Sequence, residues 1–519
     1  MTRPTQQFTR RKALKIAAGA GATAALAYRG IDVSAQEGAP GFEITIPDAV
    51  ASLPSDDVTF RWIDSGDIKA RFFQQYFDAF QEKHSNITIQ YDALPWTEIN
   101  RIVPLGIQNG QAHDVFMLPQ DISGSEAVSQ GWVTPLDDII PNFAEWKEHF
   151  PFGSFLEGVH VYDGKTYTFP VNSSKRYLTM TFYNVDLMQE AGFDPAETPL
   201  TWDTYREAAR KVTENGQGQY YGVMFGASST DRLAAFVSNL ARMAGNPAGG
   251  SLGFSDIDWR TGEFQFTSDA YLGALELLLA LQQDGSIFPG SMSLSEAEAR
   301  GQFPQGFAGI MLEGPWCIPQ WREGNPDFNW GIASQPLPNG GEVTPLTFEE
   351  TGANNVWVYA QSPNLPIAGE ILNYVGSPAG QLAMMGVTQG NLRSVMPDVV
   401  DEAQATLELD PAANTALALW DEQMRLGPMV GIRNPEASKT VFESQPISPN
   451  FGEVVQGLLS GQLSDPKAAM QDLQDRTQAE FERRIKAAQD KGVNVSEDDW
   501  VFPNWDPATD YTQEMYEEL

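Results

Sequence analysis

The stretch IMLEGPWCIPQW, residues 310–321, sets the only cysteine of the chain, Cys317, between Trp316 and Trp321 and shortly after an acid, Glu313. A thiol attacks as the thiolate, which a histidine, a cation or a helix N-terminus has to stabilise. No histidine stands near Cys317, so a small buried hydrophobe is expected there. Gly249, Ser251 and Gly253 match the G-x-S-x-G pattern of a nucleophile elbow, but they sit in a loop-like segment and no histidine follows His160. Asp256, Asp258 and Gly262 faintly suggest a calcium loop, yet the bidentate glutamate at its end is missing, and a turn between strands is expected instead. His84, His113, His149 and His160 show no metal-ligand spacing, so neither a metal nor a cofactor is expected. Carboxylate chemistry stays open. With 68 acids, two could flank a glycosidic bond, since their separation exists only in three dimensions. A secreted glycoside hydrolase is therefore the rival reading.

The composition narrows the partners. A chain of 519 residues exceeds what one core usually supports, and 42% hydrophobic residues can fill two. The net charge is −35, with no basic run beyond the N-terminus, so nucleic acid is excluded as a partner. A single cysteine cannot form an intramolecular disulfide.

At the N-terminus, FTRRKALKIAAGAGATAALA places Arg10 and Arg11 ahead of a mild Ala/Gly-rich run, with VSA at 33–35 before Gln36. A basic segment, a short apolar core and small residues at a cleavage point describe an export signal over 1–35, too short to span a bilayer. The twin arginines with Leu14 and Lys15 resemble a twin-arginine address, which carries folded proteins out of the cytoplasm. Cleavage after Ala35 leaves a mature chain near about −40, placed in the periplasm or at the extracellular face of the envelope.

The elements alternate. DVTFRWID predicts a strand, and Phe72, Phe73, Tyr76, Phe77 and Phe80 form a helical stripe after it. NITIQYDAL, a second helical segment and DVFMLP complete β-α-β-α-β, which argues for a largely parallel sheet with ligands at the carboxyl ends of its strands. A second unit is expected from strand-like TYTFP, LTMTFYN, YYGVMFG and AGIMLEG, with Thr201 capping a helix. NNVWVYA reads as a further strand. Asp465 and Pro466 start a long helix that Gly492 stops. The remaining tail, 493–519, is acidic but carries Trp500, Phe502, Trp505 and Tyr511, and is expected to be strapped on one lobe.

In their order, FFQQYFDAFQEKHSNITIQY, AHDVFML, GWVTPLDDI, DGKTYTFPV, FYNVDLMQEAGFDPAETPLTWDTYREAARKVTE, GFAGIMLEGPW, the block from NNVWVYA to GVTQG, and EVVQGLLSGQLSDPKAAMQDLQ resemble the extracellular solute-binding proteins of ABC importers, the class of maltose-binding protein. The resemblance implies an α/β, two-lobed fold with a ligand cleft between the lobes. It places lobe one at 55–172 plus 350–392 and lobe two at 173–349 plus 393–492, after a linker at 36–54. It implies no catalysis, a small-molecule solute, ABC permease membrane subunits as partners, and a monomer. Thirteen tryptophans favour a carbohydrate, although a polyamine would suit the acids and an anion would want Arg176 or Lys175. By the same resemblance the ligand-binding positions are Trp62, Asp64, Ser65 and Asp67 after the first strand, Gln120 and Asp121 after the third, Asn172, Lys175 and Tyr177 at the first crossover, Trp316 as a cleft wall, and Phe451 late in the chain.

Overall fold

Strand Val58–Asp64 is built from β-branched and aromatic residues that suit a pleated, buried surface, and it pairs in parallel with Ile87–Ala93 on one side and Val115–Phe116 on the other. Helix Lys69–Lys83 covers this sheet with the forecast stripe, all five aromatics of which are buried. Trp357–Val358 returns from far along the chain and pairs antiparallel to Val115–Phe116 at the edge. The computed structural model describes residues 42–341 and 343–519; the export signal read at 1–35 lies outside them. The part of the expected linker that is described does not hang free. Gln75 donates to the Phe42 carbonyl at 2.7 Å, Glu370 accepts from the backbone N–H groups of Val50 and Ala51, and Ile44 is buried, which ties 42–54 to the first lobe.

The second sheet runs in the order Trp330–Ala333, Met180–Asn184, Ala308–Glu313, Tyr221–Val223. It is mixed: Ala308–Glu313 is antiparallel to Met180–Asn184 and parallel to Tyr221–Val223. Met180–Asn184 enters from the first lobe and not through a helical crossover, so nothing forces it parallel to its neighbours. TYTFP is largely not a strand. Lys165–Thr166 pairs with Val161–Tyr162, and beyond it Thr168 gives its hydroxyl to the Val356 carbonyl at 2.7 Å. Thr201 caps helix Trp202–Gly216 in a capping box, and Asp465 caps Pro466–Asp490, which Gly492 ends at φ +88°.

Three passes of the chain lie side by side between the sheets. Asn172 and Ala353 exchange backbone hydrogen bonds of 3.3 and 2.8 Å, and the Ser173 N–H reaches the Arg393 carbonyl at 2.9 Å. One apolar core continues from Phe60 and Phe77 through Met180 and Phe182 to Cys317 and Trp321. A second closes the far face of the second sheet around Phe236, Leu278 and Phe481, and takes in Trp500, Phe502, Trp505 and Tyr511 of the tail. Burial of each aromatic contributes on the order of 2 kcal/mol, enough to hold an otherwise acidic segment in place. The fold is thus the two-lobed arrangement of periplasmic binding proteins.

Candidate functional site

Loops at the carboxyl ends of strands face the junction between the lobes, and their side chains differ in how far their polar atoms are satisfied. In the first lobe Asp64 ends its strand fully buried. One carboxylate oxygen accepts from the Trp62 indole at 2.9 Å, the other from the Gly66 N–H at 2.7 Å, and the Tyr91 hydroxyl lies 3.1 Å from both. Burial raises its pKa against the pull of Lys69 and these donors. Trp62 has no exposed face, because Phe73 and Phe77 pack on it at 4.8 and 5.4 Å. The expectation that Trp62 presents itself to a ligand is corrected: it is core that orients Asp64. Ser65 accepts from Lys69 Nζ at 2.6 Å, as does the Gly66 carbonyl. Asp67 is exposed, at φ +61° in the tight turn before the helix.

Gln120 and Asp121 are also exposed; the Gln120 side chain meets Asn100, so its visible bonds stay within its own lobe. At the crossover, the buried Asn172 side chain accepts from Asn354 at 2.7 Å and Lys175 pairs with Asp421 at 2.9 Å. Tyr177 is buried and donates to Gln423 at 2.8 Å, a hinge bond and not a free hydroxyl. Phe451 is half-buried, its ring 5.0 Å from Phe266 and 6.5 Å from Tyr271, where helix Phe451–Leu459 packs against Thr230–Met243.

Trp316 is one of several buried indoles whose N–H is left over. It precedes helix Cys317–Gly324 and folds back over Gly314, where an added Cβ would come 2.3 Å from the indole. Its Nε1 is buried and makes no hydrogen bond among the described residues. The guanidinium carbon of Arg232 lies 5.1 Å from the ring, and those of Arg176 and Arg300 lie 5.9 Å from it, within cation–π range. Arg232 bonds Glu296 at 2.7 Å and lies 3.2 Å from Glu313; Arg300 is 3.9 Å from both acids. Burial pushes the Glu313 carboxyl above its ordinary range although both arginines oppose it. In the first lobe burial lowers the pKa of Lys69 against the pull of Asp64 and Asp67, and the charge of Arg176 lowers it further. Arg71 of the same helix pairs with Glu323 of the second lobe.

The catalytic alternatives find no support in this geometry. Cys317 heads a helix beside Arg232 and Arg300, which would favour a thiolate, but complete burial and then Glu313 outweigh them and hold the thiol well above its usual range. Ser251 lies in a hairpin, Gly249–Ser251 with Phe254–Asp258, closed by Leu252 and Gly253 at φ +52° and +87°, and not at a strand-to-helix elbow. Asp256 is taken by Arg242 and forms no calcium loop, and among the described residues no cluster of metal-ligating side chains occurs.

The family model of the bacterial extracellular solute-binding proteins matches residues 66–382, more than half of the chain. The chain belongs to that family. Among relatives of this solute-binding protein, a binding protein of Brucella abortus (strain 2308) is 27% identical over 308 residues, 59% of this chain and 68% of that one. The sn-glycerol-3-phosphate-binding periplasmic protein of Agrobacterium fabrum is 28% identical over 197 residues, 37% of this chain and 41% of its own. The GacH receptor of Streptomyces glaucescens, solved unliganded and with acarbose, superposes with a TM-score of 0.56 at 18% identity and covers 82% of this chain and 98% of the receptor. The maltose/maltodextrin-binding domain of Bdellovibrio bacteriovorus bound to maltotriose gives 0.55 at 17%, covering 82% and 100%. These neighbours are matched almost whole, whereas part of this solute-binding protein has no counterpart in them. Among the described residues no helix is long and apolar enough to cross a membrane.

Sequence reading missed Lys69, Arg232 and Arg300. A signal existed for two of them: Lys69 follows the first strand-end turn, and Arg232 follows Ser228-Ser229-Thr230, a helix start after strand Tyr221–Val223.

Proposed function

We propose that this chain is the extracytoplasmic binding component of an ABC importer, which takes up a carbohydrate-like solute by closing its lobes and hands it to permease subunits in the membrane. The solute leaves chemically unchanged. The observation that carries the reading is the unspent indole N–H of Trp316, with the guanidinium groups of Arg176, Arg232 and Arg300 gathered within 5.9 Å of its ring. An open pair of lobes offers half a site each; a solute that touches both favours the closed state in proportion to its preference for it. The binding of acarbose and maltotriose by the structural neighbours supports a polyhydroxylated ligand. The lobe limits at 172–173, 349–350 and 392–393, a monomeric state, and export by the twin-arginine route to the periplasm or outer face belong to the same proposal. Asp67, Ser65, Asn172 and Lys175 border the site, while Gln120 and Asp121 would meet only a ligand long enough to leave the junction.

Native mass spectrometry of protein purified from its source, followed by a thermal-shift screen with the solute found, tests this. A solute at a hundred times its dissociation constant adds about 2.7 kcal/mol of stability and is recovered with its mass intact. Recovery of a hydrolysed solute, with loss of turnover on mutating two cleft acids, would replace the proposal with the hydrolase.

A further inference from the structure

The cations around Trp316 are not equally engaged. Arg232 and Arg300 share Glu296 and Glu313. Arg176 has no ion pair among the described residues. The carboxylate whose charge acts on it is Glu350, and that group already accepts from Ser173 Oγ at 2.5 Å, Ser174 N at 2.7 Å and Ser174 Oγ at 2.9 Å. Arg232 is spread over Glu296 at 2.7 Å and Glu313 at 3.2 Å, whereas Trp316 Nε1 is buried without a hydrogen bond. The two leftover groups, Arg176 and the indole N–H, donate and neither accepts. Helix Thr230–Met243 starts just before Arg232 with no side-chain cap at Ser229, and Cys317–Gly324 starts uncapped at Trp316, so two helix N-termini add partial positive charge. Three guanidinium groups lie within 5.9 Å of the Trp316 ring, which makes its surroundings cationic.

We propose that the solute carries an anionic group, a carboxylate or a phosphate on a polyhydroxylated body, and that Arg176 receives it together with the Trp316 N–H and Arg232. The planar guanidinium fork matches both oxyanions, and the indole N–H supplies a third donor. This rests on the cleft reading above and specifies its ligand. Sugar acids and sugar phosphates share this chemistry.

The test uses the full mature chain and matched pairs: galacturonate against galactose, glucose 6-phosphate against glucose, with spermidine as the cationic probe. Thermal shift and calorimetry should favour the charged member of at least one pair by tenfold or more, with affinity falling as salt rises; which pair responds tells carboxylate from phosphate. Arg176→Met should lose about 10- to 100-fold for the anionic probe, Arg176→Lys should recover part of it, and the unliganded melting temperature should stay near wild type in both. Equal binding of charged and neutral members, or preference for spermidine, overturns the anionic assignment while leaving the cleft intact. Binding of an anion that Arg176→Met does not weaken also overturns it. If no probe binds and the source-purified protein carries no solute, the cleft reading fails and this inference with it.

Discussion

Helix Thr230–Met243 carries an arginine at each end, and the two ends are built differently. In the last turn Arg242 meets Asp256 through Nη2 at 2.8 Å and Nε at 3.2 Å, while Ser238 and the Tyr271 hydroxyl reach the same oxygen at 2.5 Å and Ser255 the other at 2.7 Å. The pair is saturated. Asp256 is held below the usual carboxylate range because Arg242 and three hydroxyls outweigh its burial. In the first turn Arg232 divides between two acids, Glu296 at 2.7 Å and Glu313 at 3.2 Å, the indole N–H of the tryptophan beside it has no partner among the described residues, and Glu313 is pushed up by burial. A cation also suits the C-terminal end of a helix and not the N-terminal one. We read the cluster left short of acceptors, against the helix dipole, as the place where a solute supplies them.

The largest expected effect lies at the saturated end. Arg242→Met strands a buried carboxylate and should cost about 3–5 kcal/mol in urea unfolding, with solute affinity unchanged in whatever fraction folds. Arg232→Met should cost much less stability, because Arg300 still serves Glu313 and Glu296, and should weaken binding instead. Equal stability losses at both ends would break the comparison.

Next comes the tryptophan. Trp316→Ala should reduce solute affinity by about 2 kcal/mol or more in calorimetry, exceeding its effect on the unliganded protein. Gly314→Ala, whose Cβ would collide with the indole, should reproduce part of that loss without removing the ring.

Acid and base should then separate the two carboxylates. Asp256 has a depressed pKa, so its contribution is present above its ordinary 3.8 and is lost as pH falls through the lower folded value. Glu313 has a raised pKa, so stability declines as pH rises from its ordinary 4.5 through the higher folded value. Unfolding between pH 3 and 8 should show the cost of Asp256→Asn shrinking toward the acid end. Glu313→Gln should flatten the decline on the other side.

The smallest effect belongs to Arg71 and Glu323, which join the lobes with side chains 36% and 42% exposed. Arg71→Ala should shift the closed population by no more than ~1 kcal/mol, a difference that scattering would show only at low salt.

The first lobe was legible because its signals are local: alternation in NITIQYDAL and the aromatic stripe 72–80 each name an element without help from the rest. The order of landmarks then carried the fold. The site was legible only in part. Trp62 sits where a ligand could be met along the chain, but rotation of a strand by one residue decides between cleft and core, and that is settled by packing across hundreds of residues. Arg232, Arg300 and Glu313 lie far apart in sequence, and their meeting at Trp316 has no local pattern. TYTFP misled because β-branched and aromatic composition suits any extended buried segment, and Thr168 is satisfied there by Val356 without a full strand partner.

Small-angle X-ray scattering of the mature chain with and without its solute tests the central claim most directly. Closure of two hinged lobes predicts a smaller radius of gyration on saturation, reversed when the solute is dialysed out with its mass unchanged. An identical scattering profile in both states, at saturating solute, would contradict a site completed by closing the two lobes on the solute.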